Sequence, residues 1–355
     1  MNDWKNIATA MHKSHRSIKD VAKRVGKSED EIRAFFKVRD SVKKAWTKHH
    51  VKKKLIAGPS AEQPSEEAAT QPEEAATQPE EAAKTTNKPV IFPVFQNLAP
   101  STYTRGWTGS NVLTFGLIGD THFNSKYAQL THLNTFYNFC QSRGIKDIYH
   151  TGDIDEGEQM RIGHQYECYT QGGDDHIDEI IKNYPFRDNI TTHFITGNHD
   201  ASIYKRCGID IGKTLAMKRP DLDYLGRDCA RVELTPHCIL ELRHPWDGTA
   251  YAISYKTQKM IDGMEADSKP NLLAVGHYHK MEYLFYRNVH CFQTGCFQSQ
   301  TPFTRGKGIS VHLGGWIITV EVDKKGHILL IASEMMPFYK GINDDYKTFG
   351  YAAEL

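Results

Sequence analysis

The chain has 355 residues, 39% hydrophobic and 25% charged, with a formal net charge of +1; it is too long for one small domain and comfortable for two. No apolar run approaches the about 18 residues that a bilayer crossing needs, so no membrane partner is expected. The seven cysteines lack CxxC spacing, which suits free thiols in a reducing, cytoplasmic setting better than a zinc ribbon or a disulfide frame.

The small net charge hides a strong asymmetry. Residues 1–54 hold sixteen Lys/Arg against six Asp/Glu, whereas residues 57–89 hold seven glutamates against two lysines. Such a split suggests a basic module tethered to a separate body. The polar start, Met1-Asn2-Asp3-Trp4-Lys5, carries no secretory pattern. Ile7, Met11, Ile18, Val21, Ala22 and Val25 then recur at helical spacing. Gly26 stops one helix, and Ser28 with Glu31 forms a capping box that starts the next. Residues 17–37 therefore predict helix, turn and helix, a pattern similar to the helix-turn-helix of DNA-binding proteins. Lys19, Lys23, Arg24, Lys27, Arg33 and Lys37 would meet phosphates. Residues 1–56 are expected to be a small all-α domain that binds DNA; the competing reading is a solvated basic bundle.

Residues 57–89 repeat EEAATQP, punctuated by Pro72 and Pro79, with no large apolar residue in the repeat. They cannot bury a core and are expected to be a disordered linker. Residues 90–355 change texture. Asn111–Ile118, Asp147–His150, Thr192–Thr196, Ile239–Arg243 and Leu272–Val275 read as short strands. Tyr127–Gln141 and Ile177–Asn183 read as helices between them, which predicts an α/β domain. Chemistry in such folds gathers in the loops beyond the carboxyl ends of strands.

Those loops carry Asp120 and His122, then Asp153, then Asn198 and His199, then His244, and last His277 and His279. Carboxylates, imidazoles and a carboxamide suit Mn²⁺, Fe, Zn²⁺, Ni²⁺ or Co²⁺. Spaced i, i+2, Asp120/His122 and His277/His279 would share one side of an extended backbone. A carboxylate can bridge two cations, and Asp153 is the natural candidate.

With Gly119-Asp120-Thr121-His122, Gly152-Asp153, Gly197-Asn198-His199-Asp200, His244 and Gly276-His277-Tyr278-His279 in order, the chain resembles the calcineurin-like metallophosphoesterase superfamily over about residues 111–335. The resemblance implies a four-layer αββα sandwich and a pair of divalent transition-metal ions, Mn²⁺ first among them. It places Asp120, His122 and His279 on one ion, Asn198, His244 and His277 on the other, and Asp153 between them. It makes His199 a general acid or transition-state donor oriented by Asp200. Glu156 departs from the Asp or Asn usual three residues after the bridging aspartate.

His150, His164, His176, His193, His290 and His312 are expected to be structural. Thr304–Gly308 reads as a turn between strands and Tyr255–Lys259 as a solvated helix start, both outside the site. The long connection 154–190 is expected to shape substrate access. The expected activity is metal-dependent phosphodiester hydrolysis on nucleic acid. Alternatives are an esterase for a small molecule or phosphoprotein, with residues 1–56 serving localisation, and a non-catalytic DNA-binding regulator with a structural metal.

Overall fold

The computed structural model describes residues 101–349 and Ser28. The helix-turn-helix-like module and the linker lie outside the described residues. Among the described residues, no helix is long and apolar enough to cross a membrane.

Twelve strands among the described residues form two six-stranded sheets. One runs β12 (Ile328–Pro337), β11 (Gly314–Val322), β2 (Val112–Ile118), β3 (Asp147–His150), β4 (Thr191–Thr196), β5 (Leu222–Arg227). The other runs β1 (Ser101–Thr104), β6 (Cys229–Thr235), β7 (Cys238–Arg243), β8 (Leu272–Val275), β10 (Val289–Thr294), β9 (Met281–Tyr286). Within the first, β2, β3 and β4 are adjacent and parallel, with Gly116 opposite Ile148 and Asp147 opposite Thr191. Within the second, β7 and β8 are adjacent and parallel, with Leu240 opposite Leu272. The five strands that precede the candidate loops thus present their carboxyl ends in two aligned groups.

Alternation along the strands sorts the core into layers. Leu117, Tyr149, Ile195, Trp316 and Ile318 from the first sheet pack against Leu240, Leu242, Leu272, Ala274 and Phe292 from the second. Ile118, Ile148, Phe194 and Ile317 face the other way, under the helices α1 (Leu130–Ser142), α2 (Gly173–Asn183) and α4 (Ile211–Lys218). In α1 the buried residues Leu130, Leu133, Phe136, Tyr137 and Cys140 recur at three and four positions, making one apolar stripe. On the far side, Leu273, Val275 and Cys291 are covered by Ile261 of α5 (Tyr255–Asp262). The order is helix, sheet, sheet, helix, the four-layer sandwich that the resemblance implies. Two further helices, α3 (Asp200–Cys207) and the short α6 (Pro302–Gly306), flank the carboxyl-end loops. All seven cysteines are free thiols.

Candidate metal centre

The loops after β2, β3, β4, β7 and β8 meet at the carboxyl ends of the two sheets. Asp120, His122 and His279 bring one donor atom each within 4.8 Å of one another, and so do Asp153, His244 and His277. In the first group the two Nε2 atoms of His122 and His279 face each other at 3.1 Å, with Asp120 Oδ1 3.9 Å from the former and 3.4 Å from the latter. In the second, His244 Nε2 lies 3.1 Å from Asp153 Oδ2 and 3.1 Å from Asn198 Oδ1. Asp153 Oδ2 is also 4.0 Å from His122 Nε2, so this carboxylate stands between the groups.

Hydrogen bonds decide which ring nitrogens are free to donate a lone pair. His244 Nδ1 gives its proton to the Thr151 carbonyl at 2.8 Å, which turns Nε2 toward the two oxygens. His277 gives Nε2–H to the Asp247 carbonyl at 2.6 Å, which leaves Nδ1 as its lone-pair atom. Burial disfavours charge on His244, but the Asp153 carboxylate overrides it and holds the imidazole up at about 9. His244 Nε2, Asp153 Oδ2 and Asn198 Oδ1 converge on one point, the position a cation would take. Burial, and after it His244, push His277 down to about 4. The donor set, oxygens and imidazole nitrogens gathered within reach of one another, fits divalent cations.

The backbone here is unusual. Asp120 (φ 52°), His122 (φ 47°), Asp153 (φ 55°), His277 (φ 75°) and His279 (φ 54°) all adopt the left-handed region, where a non-glycine residue is uncommon. The i, i+2 pairs therefore converge by tight turning and not, as expected from spacing, on extended chain. Gly197 shows why small residues adjoin them: a Cβ there would lie 2.4 Å from Asp153 Oδ1 and 2.6 Å from His244 Cδ2.

His199 lines the same cleft. Its backbone N–H donates to Asp153 Oδ1 at 2.9 Å, and its ring Nδ1 donates to the Glu156 carbonyl at 2.6 Å. Asp200 does not orient the ring as expected. Its carboxylate is spent on the backbone amides of Asp155 at 2.9 Å and Gly197 at 2.8 Å, tying the second motif to the third.

Two contributors were missed by sequence reasoning. Glu156, fully buried, places Oε2 2.9 Å from His122 Nδ1, although the ring N–H direction misses it. Its other oxygen takes a hydrogen bond from His164 at 2.7 Å, so the expected structural role of His164 includes supporting this carboxylate. Burial opposes the charge on Glu156, and the two imidazoles override it, holding the group well below its usual range. The second contributor is the segment 301–309, of which Thr304–Gly308 was expected to be a turn outside the site. Thr301, Phe303, Thr304, Lys307 and Ile309 wall a cleft of about 400 Å³ together with Arg161. Thr301 caps the first turn through Thr304 N at 3.2 Å and Pro302 opens the helix, a start signal that was legible.

No family model matches the chain, and no curated protein matches it. Among solved structures, it is similar to an archaeal phosphodiesterase at 15% identity over 63% of this chain and 100% of that one, with a TM-score of 0.35. It is also similar to the zinc-complexed Vps29 of Entamoeba histolytica (13% identity, 63% and 99% covered, TM-score 0.31) and to a 5′-nucleotidase precursor from Thermus thermophilus. The last shares 13% identity over 67% of this chain and 57% of that one, with a TM-score of 0.34. At this level of likeness the reading of the site rests on its own residues.

Proposed function

We propose that the chain is a phosphoesterase that uses a pair of divalent cations, Mn²⁺ first among them, to hydrolyse phosphodiesters of nucleic acid. The observation that carries this reading is the convergence of two donor groups, Asp120/His122/His279 and Asp153/His244/His277, around one shared carboxylate. Asn198 completes the second group. When bound, the cations supply Lewis acidity toward the phosphate oxygens and toward water.

The chain's own residues do the rest. Asp153 holds the two groups together and, through the His199 amide, fixes where His199 sits. With Nδ1–H committed to the Glu156 carbonyl, His199 exchanges protons at Nε2 alone, and in its imidazolium form it gives that proton to the leaving oxygen. This role makes a purely structural metal a poorer account. Asp200 acts on the backbone, keeping Gly197 and Asp155 in register.

Support for nucleic acid comes from the basic helix-turn-helix-like segment 1–56. The test is a substrate panel on the full chain with Mn²⁺: duplex DNA, single-stranded DNA, RNA, ethyl p-nitrophenyl phosphate and a phosphoserine peptide. Nucleic acid should be hydrolysed fastest, with a rate that falls steeply as salt rises. Turnover of the small ester or the peptide alone would give the function to the alternative esterase, and no turnover of any would end the catalytic reading.

A further inference from the structure

The cleft has a wall that hydrolysis itself does not use. Phe303 keeps 42% of its surface exposed beside a cavity of about 400 Å³, a volume within the range of sites that enclose nucleotide-sized ligands. One face of its ring is taken. The Arg161 guanidinium carbon lies 4.4 Å from the ring centroid, and an ion pair with Glu167 pins that guanidinium. Lys307 Nζ lies 6.0 Å from the same centroid. Trp246, 41% exposed in the same cleft, is braced alike: Lys205 Nζ sits 4.5 Å from its centroid, and its indole N–H is bonded to Asp228 at 2.8 Å.

Two rings from separate elements are thus held by cations in a cleft whose floor is the donor set. An aliphatic or phosphoserine ester has no use for such walls. A planar heterocycle does, because every base has a π-face and stacks on aromatic and guanidinium planes. We propose that Phe303, braced by Arg161, is a stacking platform for the base of a nucleoside phosphate held at the metal centre, with Lys307 adding positive charge beside it. This rests on the phosphoesterase reading and names its substrate class: an ester of a nucleoside phosphate.

The test is calorimetric binding to the full chain loaded with Mn²⁺, comparing thymidine 5′-monophosphate with 2-deoxyribose 5-phosphate. The nucleotide should bind about ten-fold more tightly, the scale of one base–aromatic stack. That ratio should fall toward one in Phe303→Ala and survive in Phe303→Tyr, which keeps a ring and guards against a folding defect. Equal affinities in the wild type, a ratio that persists in Phe303→Ala, or no binding of either ligand overturns the platform. Hydrolysis, assayed separately on the same protein, distinguishes the two failures. A ten-fold ratio without turnover sinks the phosphoesterase reading alone, and turnover without the ratio sinks the platform alone.

Discussion

Strands β3 and β4 carry aspartate and histidine near both ends, yet the two ends are built to opposite plans. At the amino ends, His193 is bonded to Asp223 at 2.7 Å through Nδ1 and to Asp147 at 3.1 Å through Nε2, while Arg105 pairs with Asp147. Each carboxylate there meets a basic group of the chain. At the carboxyl ends, Asp120, Asp153 and Glu156 are fully buried, their partners among the described residues are imidazoles and N–H donors, and Asp120 and Asp153 also sit on left-handed backbone. Buried charge is tolerated only when compensated. Residue type alone does not separate the two ends; a cluster of buried carboxylates and imidazoles gathered on left-handed backbone does.

The sharpest way to break this contrast is Asp153→Asn, which removes the shared charge. Activity on ethyl p-nitrophenyl phosphate with Mn²⁺ should drop by roughly 1,000-fold, the equivalent of several kcal/mol of transition-state stabilisation. Full activity would make the carboxyl end no more special than the amino end. His199→Ala should lower turnover by about 100-fold while elemental analysis finds the metal retained. Because His199 also sits with His122 and Glu156 in a third possible donor group, a metal-free variant would make it a ligand instead. Glu156→Gln should weaken Mn²⁺ affinity about ten-fold by calorimetry, and an unchanged affinity would reduce Glu156 to packing. The smallest effect belongs to the amino end. The hydrogen bond with His193 holds the Asp223 carboxyl below its usual range; at Asp147 burial opposes the same direction, and His193 and Arg105 override it. A carboxyl lowered in the folded state stabilises above its unfolded pKa, and that stability is lost as pH falls through the folded value. Asp223→Asn should therefore cost under about 1 kcal/mol at pH 7, since the side chain is half exposed. In urea unfolding the difference should fade below about pH 4, with catalytic rate unaffected; a loss of activity would contradict the contrast.

Most of the fold was legible because parallel strands buried on both faces read as short apolar runs. Asp147–His150 and Leu272–Val275 match β3 and β8 at both ends, and the other three motif strands differ by one residue at most. Legibility failed where no period carries the information. Left-handed φ at Asp120 and His279 is imposed by the meeting of loops and has no residue signature. The true partners of Asp200 are amides in two separate loops. Glu156 and His164, eight positions apart in an irregular connection, find each other only in the folded chain. The five-residue α6 is too short for helical spacing to show, and only its Thr301–Pro302 start betrayed it.

The left-handed backbone at Asp120, His122, Asp153, His277 and His279 has a further consequence. Each such residue costs on the order of 1 kcal/mol, a load that is a sizeable share of what holds an ordinary domain folded. Any ion that prefers the folded form offsets that load by mass action. On the proposed metal-binding reading, metal supply and the stability of the folded chain are coupled, and a chelator should act as a mild denaturant directed at these loops.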